Sequence, residues 1–394
     1  MKLLAASFIV VGVLAITVYR HLEILNNSFQ YILDSLNIEN RNNGQDTFKL
    51  PSINLTEAEE NFNKVSQELV TAFRNVGFAY LIHVKDFDPD ELLYWTKWFF
   101  DQPLKNKMRL AKNAFNKNNP NHFRGYFPLI AGGHSYKEAY ELGVFEREVI
   151  DRSFPTPTEI INLTKTTNGR LYMRNIVEEK NVWPITEDEV MDAKFLKVML
   201  KYRAFYIQTA KKVLHLLAVG FGFDKNAFDH LFGSSSLSTL RLIHYPTRVN
   251  DLSSIPKEAM DGDTPIVTGE HFDTAMVTIL ATFSNNGLQI KPKGITEWID
   301  VPAIKDRLVV NIGALLSHML DGRAVATNHR VIDIGTDRYS VPLFYEPCFD
   351  ADLSKSFFGN KNVLVGNFTK YGPWMTNRTS MFAEYASTDF GLAD

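Results

Sequence analysis

Two stretches of β-branched and aromatic sequence, far apart in the chain, must come side by side if their polar residues are to share a purpose. The first runs from Thr264 to Leu280 and carries His271 and Asp273; the second runs from Ala326 to Ile334 and carries His329. Both read as short strands bounded by turn residues, the first as a strand, a turn and a strand. On extended backbone residues i and i+2 point to one side, so His271 and Asp273 face together while Phe272 faces away. Two strands separated by about 55 residues can lie as neighbours in a barrel, which would gather two imidazoles and one carboxylate on one face. That donor set suits a divalent metal with open positions opposite, as in a non-haem iron centre.

A His-x-Asp triplet alone carries little weight. With ten His in 394 residues and Asp at about 6%, a random chain holds roughly 0.6 of them. Taken singly, His329 reads as a core or surface histidine and Asp273 as a turn residue. The set gains weight from Arg338-Tyr-Ser340, which follows His329 by nine residues and opens an apolar run to Tyr345. A guanidinium grips a carboxylate through two parallel hydrogen bonds, and a hydroxyl on the same side supplies a third. A surface salt bridge is the commoner use of Arg, but an unpaired charge beside an apolar strand is costly. The pair therefore reads as an anchor for the distal end of a dicarboxylate whose other end chelates the metal.

At this point the chain resembles a known family, the iron(II) and 2-oxoglutarate dependent dioxygenases of the isopenicillin N synthase type. The likeness is an ordered series from about Leu50 to Pro347. It takes in Leu50-Pro-Ser-Ile-Asn-Leu, Ala72-Phe-Arg-Asn-Val-Gly-Phe, Phe99-Phe-Asp-Gln-Pro, Arg124-Gly-Tyr and Lys137-Glu-Ala-Tyr-Glu-Leu-Gly. It continues through Leu240-Arg-Leu-Ile-His-Tyr-Pro, Gly287-Leu-Gln-Ile, Trp298-Ile-Asp-Val-Pro and Val309-Val-Asn-Ile-Gly-Ala, and closes on Phe344-Tyr-Glu-Pro. Many members carry Asn two positions before the Tyr of the Tyr-Pro pair, where this chain has Ile243.

The resemblance implies an α+β fold: a double-stranded β-helix, or jelly roll, with supporting helices and an N-terminal αβ region. It implies His271, Asp273 and His329 as iron ligands, Arg338, Ser340 and Tyr245 as the 2-oxoglutarate pocket, and O2 as co-substrate with ascorbate as reductant. The implied activity is oxidation of a small molecule, by hydroxylation, desaturation or ring closure, with release of succinate and CO2. Phe344, six residues after Arg338, resembles a position lining the substrate pocket and equally suits a core; Arg124 and Tyr126 sit in a loop resembling one at the mouth of the site. Alternatives are an oxidase of the same fold that needs no 2-oxoglutarate, a zinc hydrolase on the same three ligands, and a non-catalytic tethered binding protein.

A chain this long, 45% hydrophobic, can bury a large core. The boundaries read as an anchor or signal over 1–20, a stem or linker over 21–46, an N-terminal dioxygenase region over 47–190, a catalytic core over 191–350 and a C-terminal extension. Asp192 to Val219 shows helical periodicity and should form one long buried helix ending at Gly220. Net charge of −3 gives no reason to expect a nucleic-acid partner. The basic run Lys105, Lys107, Arg109, Lys112 and Lys117 reads as a solvated face. Leu3 to Val18 is an apolar run flanked by Lys2 and Arg20, short for a spanning helix and long for a signal core. Membrane or secretory attachment is the reading it favours, with a cytoplasmic location as the alternative, and the chain reads as a monomer. Five sequons, at Asn26, Asn54, Asn162, Asn367 and Asn377, would permit a lumenal enzyme, and the lone Cys348 excludes an internal disulfide.

Overall fold

The computed structural model describes residues 48–129, 135–144, 169–233, 236–248, 255–354, 357–358, 368–385, 388 and 390, with the side chains of the helix that starts at 169 described from 173 onward. The chain divides into two units, Met1–Pro51 and Ser52–Asp394, and the fold that follows is that of the second. The apolar run, the stem and the sequons Asn26, Asn162 and Asn367 lie outside the described residues. Among the described residues no helix is long and apolar enough to cross a membrane.

Among the described residues thirteen strands make two sheets. In chain order they are β1 Ser52–Asn54, β2 Phe78–Ile82, β3 Gly125–Phe127, β4 Glu138–Leu142, β5 Thr239–Tyr245, β6 Met260–Asp261, β7 Thr264–His271, β8 Val277–Ala281, β9 Leu288–Lys291, β10 Ile299–Asp300, β11 Leu308–Ile312, β12 Asn328–Ile332 and β13 Arg338–Tyr345. The larger sheet has the order β1-β2-β11-β8-β13-β5-β4-β3 and the smaller β10-β9-β12-β7-β6. From β7 onward the chain passes repeatedly between the sheets, which is the double-sheet pattern of a jelly roll. The strand-turn-strand expected over 264–280 is thus a crossing: β7 lies in the small sheet and β8 in the large one, with Asp273 on the passage between them.

Strands from the first hundred residues of the unit complete the large sheet. Val309 and Val310 of β11 pair with Tyr80 and Ala79 of β2, and Ile243 of β5 pairs with Ala139 of β4. Gly77 permits the entry to β2, because its φ is +75° and a Cβ there would meet the Val325 carbonyl oxygen at 2.2 Å. Phe78 then lies edge-on to His329, ring centroids 5.4 Å apart, so the N-terminal region buttresses the small sheet.

The long helix spans Glu189–Gly220, capped by the Asp188 side chain on the Met191 N–H at 3.0 Å. Its buried stripe of Phe195, Met199, Tyr202, Tyr206, Val213 and Leu217 has the spacing of one helix face. Burying such side chains stabilises by about 2 kcal/mol each, and the Tyr206 hydroxyl donates to the Val341 carbonyl of β13 at 3.0 Å. The helix is therefore fixed to the large sheet behind the site.

The basic run keeps its expected solvated face at Lys105, Arg109 and Lys117, which are exposed, and departs from it at two positions. Lys107 is 7% exposed and Lys112 fully buried, each facing a carboxylate of β4: Glu138 at 2.8 Å and Glu141 at 2.6 Å. Paired charges can be interior where single ones cannot.

Candidate metal centre and active site

His271 ends β7 and stands in register with His329 of β12, which puts the two imidazoles on neighbouring strands with ring centroids 4.2 Å apart. Asp273 follows two residues on. Its Oδ1 lies 3.8 Å from Nε2 of His271 and 3.6 Å from Nε2 of His329, and the three donor atoms fall within 4.8 Å of one another.

Each donor is aimed by a partner on its other side. Nδ1 of His271 donates to the Gly269 carbonyl at 2.8 Å and Nδ1 of His329 to the Thr327 carbonyl at 3.1 Å, which leaves both Nε2 lone pairs toward the common point. Oδ2 of Asp273 accepts from Thr278 Oγ1 at 2.6 Å and from the Asn311 amide at 2.8 Å, which turns Oδ1 inward. Such outer contacts fix ligand orientation in metal sites. Two imidazoles and a carboxylate converging in this way can hold a divalent cation on one face and leave the other open.

The electrostatics of His271 and Asp273 agree with that use. Burial and the neighbouring His329 push His271 down to about 4, so its ring is neutral at physiological pH. Burial opposes the charge on Asp273, but His329 and His271 outweigh it and hold the carboxyl well below its usual range. His329 moves the other way, because Asp273 outweighs its burial.

Arg338 opens β13 directly opposite Tyr245 of β5, its guanidinium carbon 4.9 Å from the Tyr245 ring centroid. Only 2% of Arg338 and of Ser340 is exposed. Nε of Arg338 donates to the Asn286 carbonyl at 2.9 Å, whereas Nη1 is buried with no hydrogen-bond partner. Burial raises the Tyr245 phenol, but Arg338 and Lys137 outweigh it and the pKa falls. A buried guanidinium without a carboxylate partner among the described residues is costly unless an anion arrives, so this cradle fits a carboxylate ligand.

A cavity of about 590 Å³ reaches His271 and Asp273, with Phe344, Lys137, Arg241 and Glu346 among its lining. Phe344 lies there under the Arg241 guanidinium, 5.0 Å from the ring centroid. His329, Arg338, Ser340 and Tyr245 do not line this cavity. Neither do Arg124 and Tyr126, proposed from sequence as substrate contacts. Arg124 is buried and spends its guanidinium on the Leu237 carbonyl and Thr239 hydroxyl, and Tyr126 donates to Glu138.

Sequence reading missed one whole wall. Met375, Thr379, Met381, Phe382, Glu384 and Tyr385, on and after the helix Tyr371–Thr379, close the cavity. Asn311 was missed as well, although a lone amide in the apolar run of β11 is a readable signal.

Comparison with known proteins now bears on this geometry. Residues 238–347 match the model of the 2OG-Fe(II) oxygenase superfamily, and residues 50–159 that of the non-haem dioxygenase in morphine synthesis N-terminal region. Clavatol oxidase claD of Penicillium crustosum is 31% identical over 261 residues, covering 64% of this chain and 70% of that protein. The chain belongs to the 2OG-Fe(II) oxygenase superfamily. A 2-oxoglutarate-Fe(II) type oxidoreductase of Aspergillus fumigatus is 30% identical over 166 residues, covering 42% of this chain; the match spans only 46% of that relative's length. In fold, the chain is similar to a full-length Neurospora crassa protein crystallised in complex with alpha-KG, with a TM-score of 0.64 at 22% identity over 87% of this chain and 99% of that one. Iron(II) and 2-oxoglutarate are the two groups of the 2OG-Fe(II) oxygenases, and the two donor sets just described suit them respectively.

Proposed function

We propose that this chain is an Fe(II)- and 2-oxoglutarate-dependent dioxygenase that oxidises a C–H bond of a small molecule bound in the 590 Å³ cavity. The observation that carries the reading is the pairing of a three-donor face at His271, Asp273 and His329 with a buried, partner-free Nη1 on Arg338. Iron with 2-oxoglutarate supplies the oxidising chemistry when bound, with O2 consumed and succinate and CO2 released. The chain's own residues bind and aim. His271 and His329 present their Nε2 atoms, Asp273 presents Oδ1, and Arg338 with Ser340 and Tyr245 takes the far carboxylate. Phe344, Met375 and Phe382 exclude water from the cavity side and hold the substrate against the metal face.

The test uses the full chain with Fe(II), ascorbate, O2 and labelled 2-oxoglutarate. Labelled succinate should form and should depend on added metal. Oxygen uptake without succinate would replace the proposal with the oxidase that needs no 2-oxoglutarate, and turnover with zinc in the absence of O2 would replace it with a hydrolase.

Membrane attachment through residues 3–18 is a second part of the proposal, supported by that run's lack of any polar face between Lys2 and Arg20. The full chain should sediment with vesicles and a chain starting at Thr47 should not; equal behaviour of the two contradicts it.

A further inference from the structure

We propose that the substrate carries a carboxylate, held in the cavity by Lys137 and Ser135. The proposal rests on the oxygenase reading, since it takes the cavity as the place of the substrate. Both residues line the cavity together with Thr268, Gly269 and His271 of β7. Their backbone is fixed there: Ser135 bridges Thr268 and the Tyr136 N–H donates to the Val267 carbonyl at 2.9 Å. Being two apart on extended chain, Ser135 and Lys137 present their side chains to the same side.

Ser135 is unsatisfied, and Lys137 has donors to spare beyond its one ion pair. Ser135 Oγ is a buried atom with no hydrogen-bond partner. Lys137 is 6% exposed, and the carboxylate it faces, Glu384, stands 3.4 Å away, beyond the roughly 2.7–2.9 Å of a charge-assisted hydrogen bond. Glu384 is also shared with Arg241 at 3.6 Å. Arg241 in turn shares Glu141 with Lys112, at 2.5 and 2.6 Å. Lys112, Lys137 and Arg241 thus face the two carboxylates Glu141 and Glu384, one positive charge in excess. The other lining acids have uses of their own: Glu346, which burial raises to about 7, accepts from Tyr371 and Thr239 beside Arg124 and Arg241, the exposed Glu270 accepts from Asn328, and Asp273 belongs to the metal face.

An ammonium and a hydroxyl side by side can each donate to one oxygen of a carboxylate. The excess charge lies in a low-dielectric wall where it attracts an anion strongly. Phe123, Phe344, Met375 and Phe382 supply apolar surface for the remainder, so the class indicated is a small organic acid with a flat or apolar body.

The test is ligand-observed NMR on the full chain, anaerobic, with metal-free and Fe(II)-loaded samples both saturated in 2-oxoglutarate, using a panel of flat aromatic acids each paired with its primary amide. Acids should bind about tenfold more tightly than their amides, the loss of one charge-assisted hydrogen bond. Lys137→Met should erase that preference, Lys137→Arg should keep it, and Ser135→Ala should reduce it. The affinity for 2-oxoglutarate, read from the visible charge-transfer absorption of the Fe(II) complex, should fall far less in Lys137→Met than the affinity for the acids, because Lys137 reaches that pocket only through its charge on Tyr245. Equal binding of acids and amides by the parent overturns the proposal, as does a preference that survives Lys137→Met, or a Lys137→Met variant that loses 2-oxoglutarate instead. A parent chain that takes up no 2-oxoglutarate would refute the oxygenase reading, while the acid and amide comparison would still decide on Lys137.

Discussion

Asn311 donates its side-chain amide to Oδ2 of Asp273 at 2.8 Å, from a strand otherwise filled by Leu308, Val309, Val310 and Ile312. With Thr278 on the same oxygen at 2.6 Å, it decides which carboxylate oxygen meets the two imidazoles. Replacing Asn311 by Leu keeps the bulk and removes one of the two donors. Metal affinity should fall about 10- to 100-fold, measured by competition with a chromogenic chelator. Unchanged affinity would mean that Asp273 needs no such guide.

Arg338→Gln should raise the apparent KM for 2-oxoglutarate roughly 30- to 150-fold, the equivalent of about 2–3 kcal/mol of charged hydrogen bonding. Arg338→Lys should not restore it, because an ammonium lacks the planar fork. Since Nη1 has no partner and only Nε is bonded to the Asn286 carbonyl, the Tm of Arg338→Gln without 2-oxoglutarate should fall by no more than the loss of one hydrogen bond. Initial-rate kinetics and a thermal melt check both; a normal KM in either variant removes Arg338 from the pocket.

Gly313→Ala should be severely destabilising. A Cβ at that position would stand 1.9 Å from the Ala275 carbonyl oxygen and 2.6 Å from its carbon, and backbone cannot yield as a side chain does. The next residue, Ala314, donates its N–H to the Asp273 carbonyl at 2.7 Å, so the displacement reaches the metal face. A loss of about 1–3 kcal/mol in urea unfolding, with weakened metal binding, is the expected result; a variant equal to the parent would show that the passage from β7 to β8 relaxes freely.

Acid should loosen the C-terminal wall. Burial opposes the charges on Glu141 and Glu384, but Arg241 and Lys112 for the first, and Lys137 and Arg241 for the second, outweigh it and hold each at about 2, against an ordinary value of 4.5. The folded pKa lies below the unfolded one, so the stabilisation is complete above the unfolded value and is lost as pH falls from about 4.5 toward 2. Each carboxylate contributes on the order of 3 kcal/mol at most. Tm should drop steeply over that window, and less steeply in Glu384→Gln; identical slopes would contradict the assignment.

Local signals made much of this legible in sequence. Alternation around His271 and His329, and the 3.6-residue stripe from Phe195 to Leu217, each report a backbone period, and the structure places both as strand neighbours and long helix. What stayed hidden depends on distant pairing. Lys107 and Lys112 look solvated until Glu138 and Glu141, some thirty residues on, are seen beside them. Arg124 looked like a mouth residue because its loop resembles one at the mouth of the family's site, yet it is buried on Thr239 and Leu237. The wall around Met375 and Glu384 gave no signal, since neither its short helix nor its composition announces what it covers.

The most direct test of the central claim is anaerobic calorimetric titration of Fe(II) into the parent chain and into Asp273→Ala and His329→Ala, each supplied with 2-oxoglutarate. The parent should bind one equivalent of iron, and both variants should lose that binding while keeping the parent's circular dichroism spectrum. Stoichiometric, undiminished iron uptake by either variant would contradict the three-donor site, and with it the function built upon it.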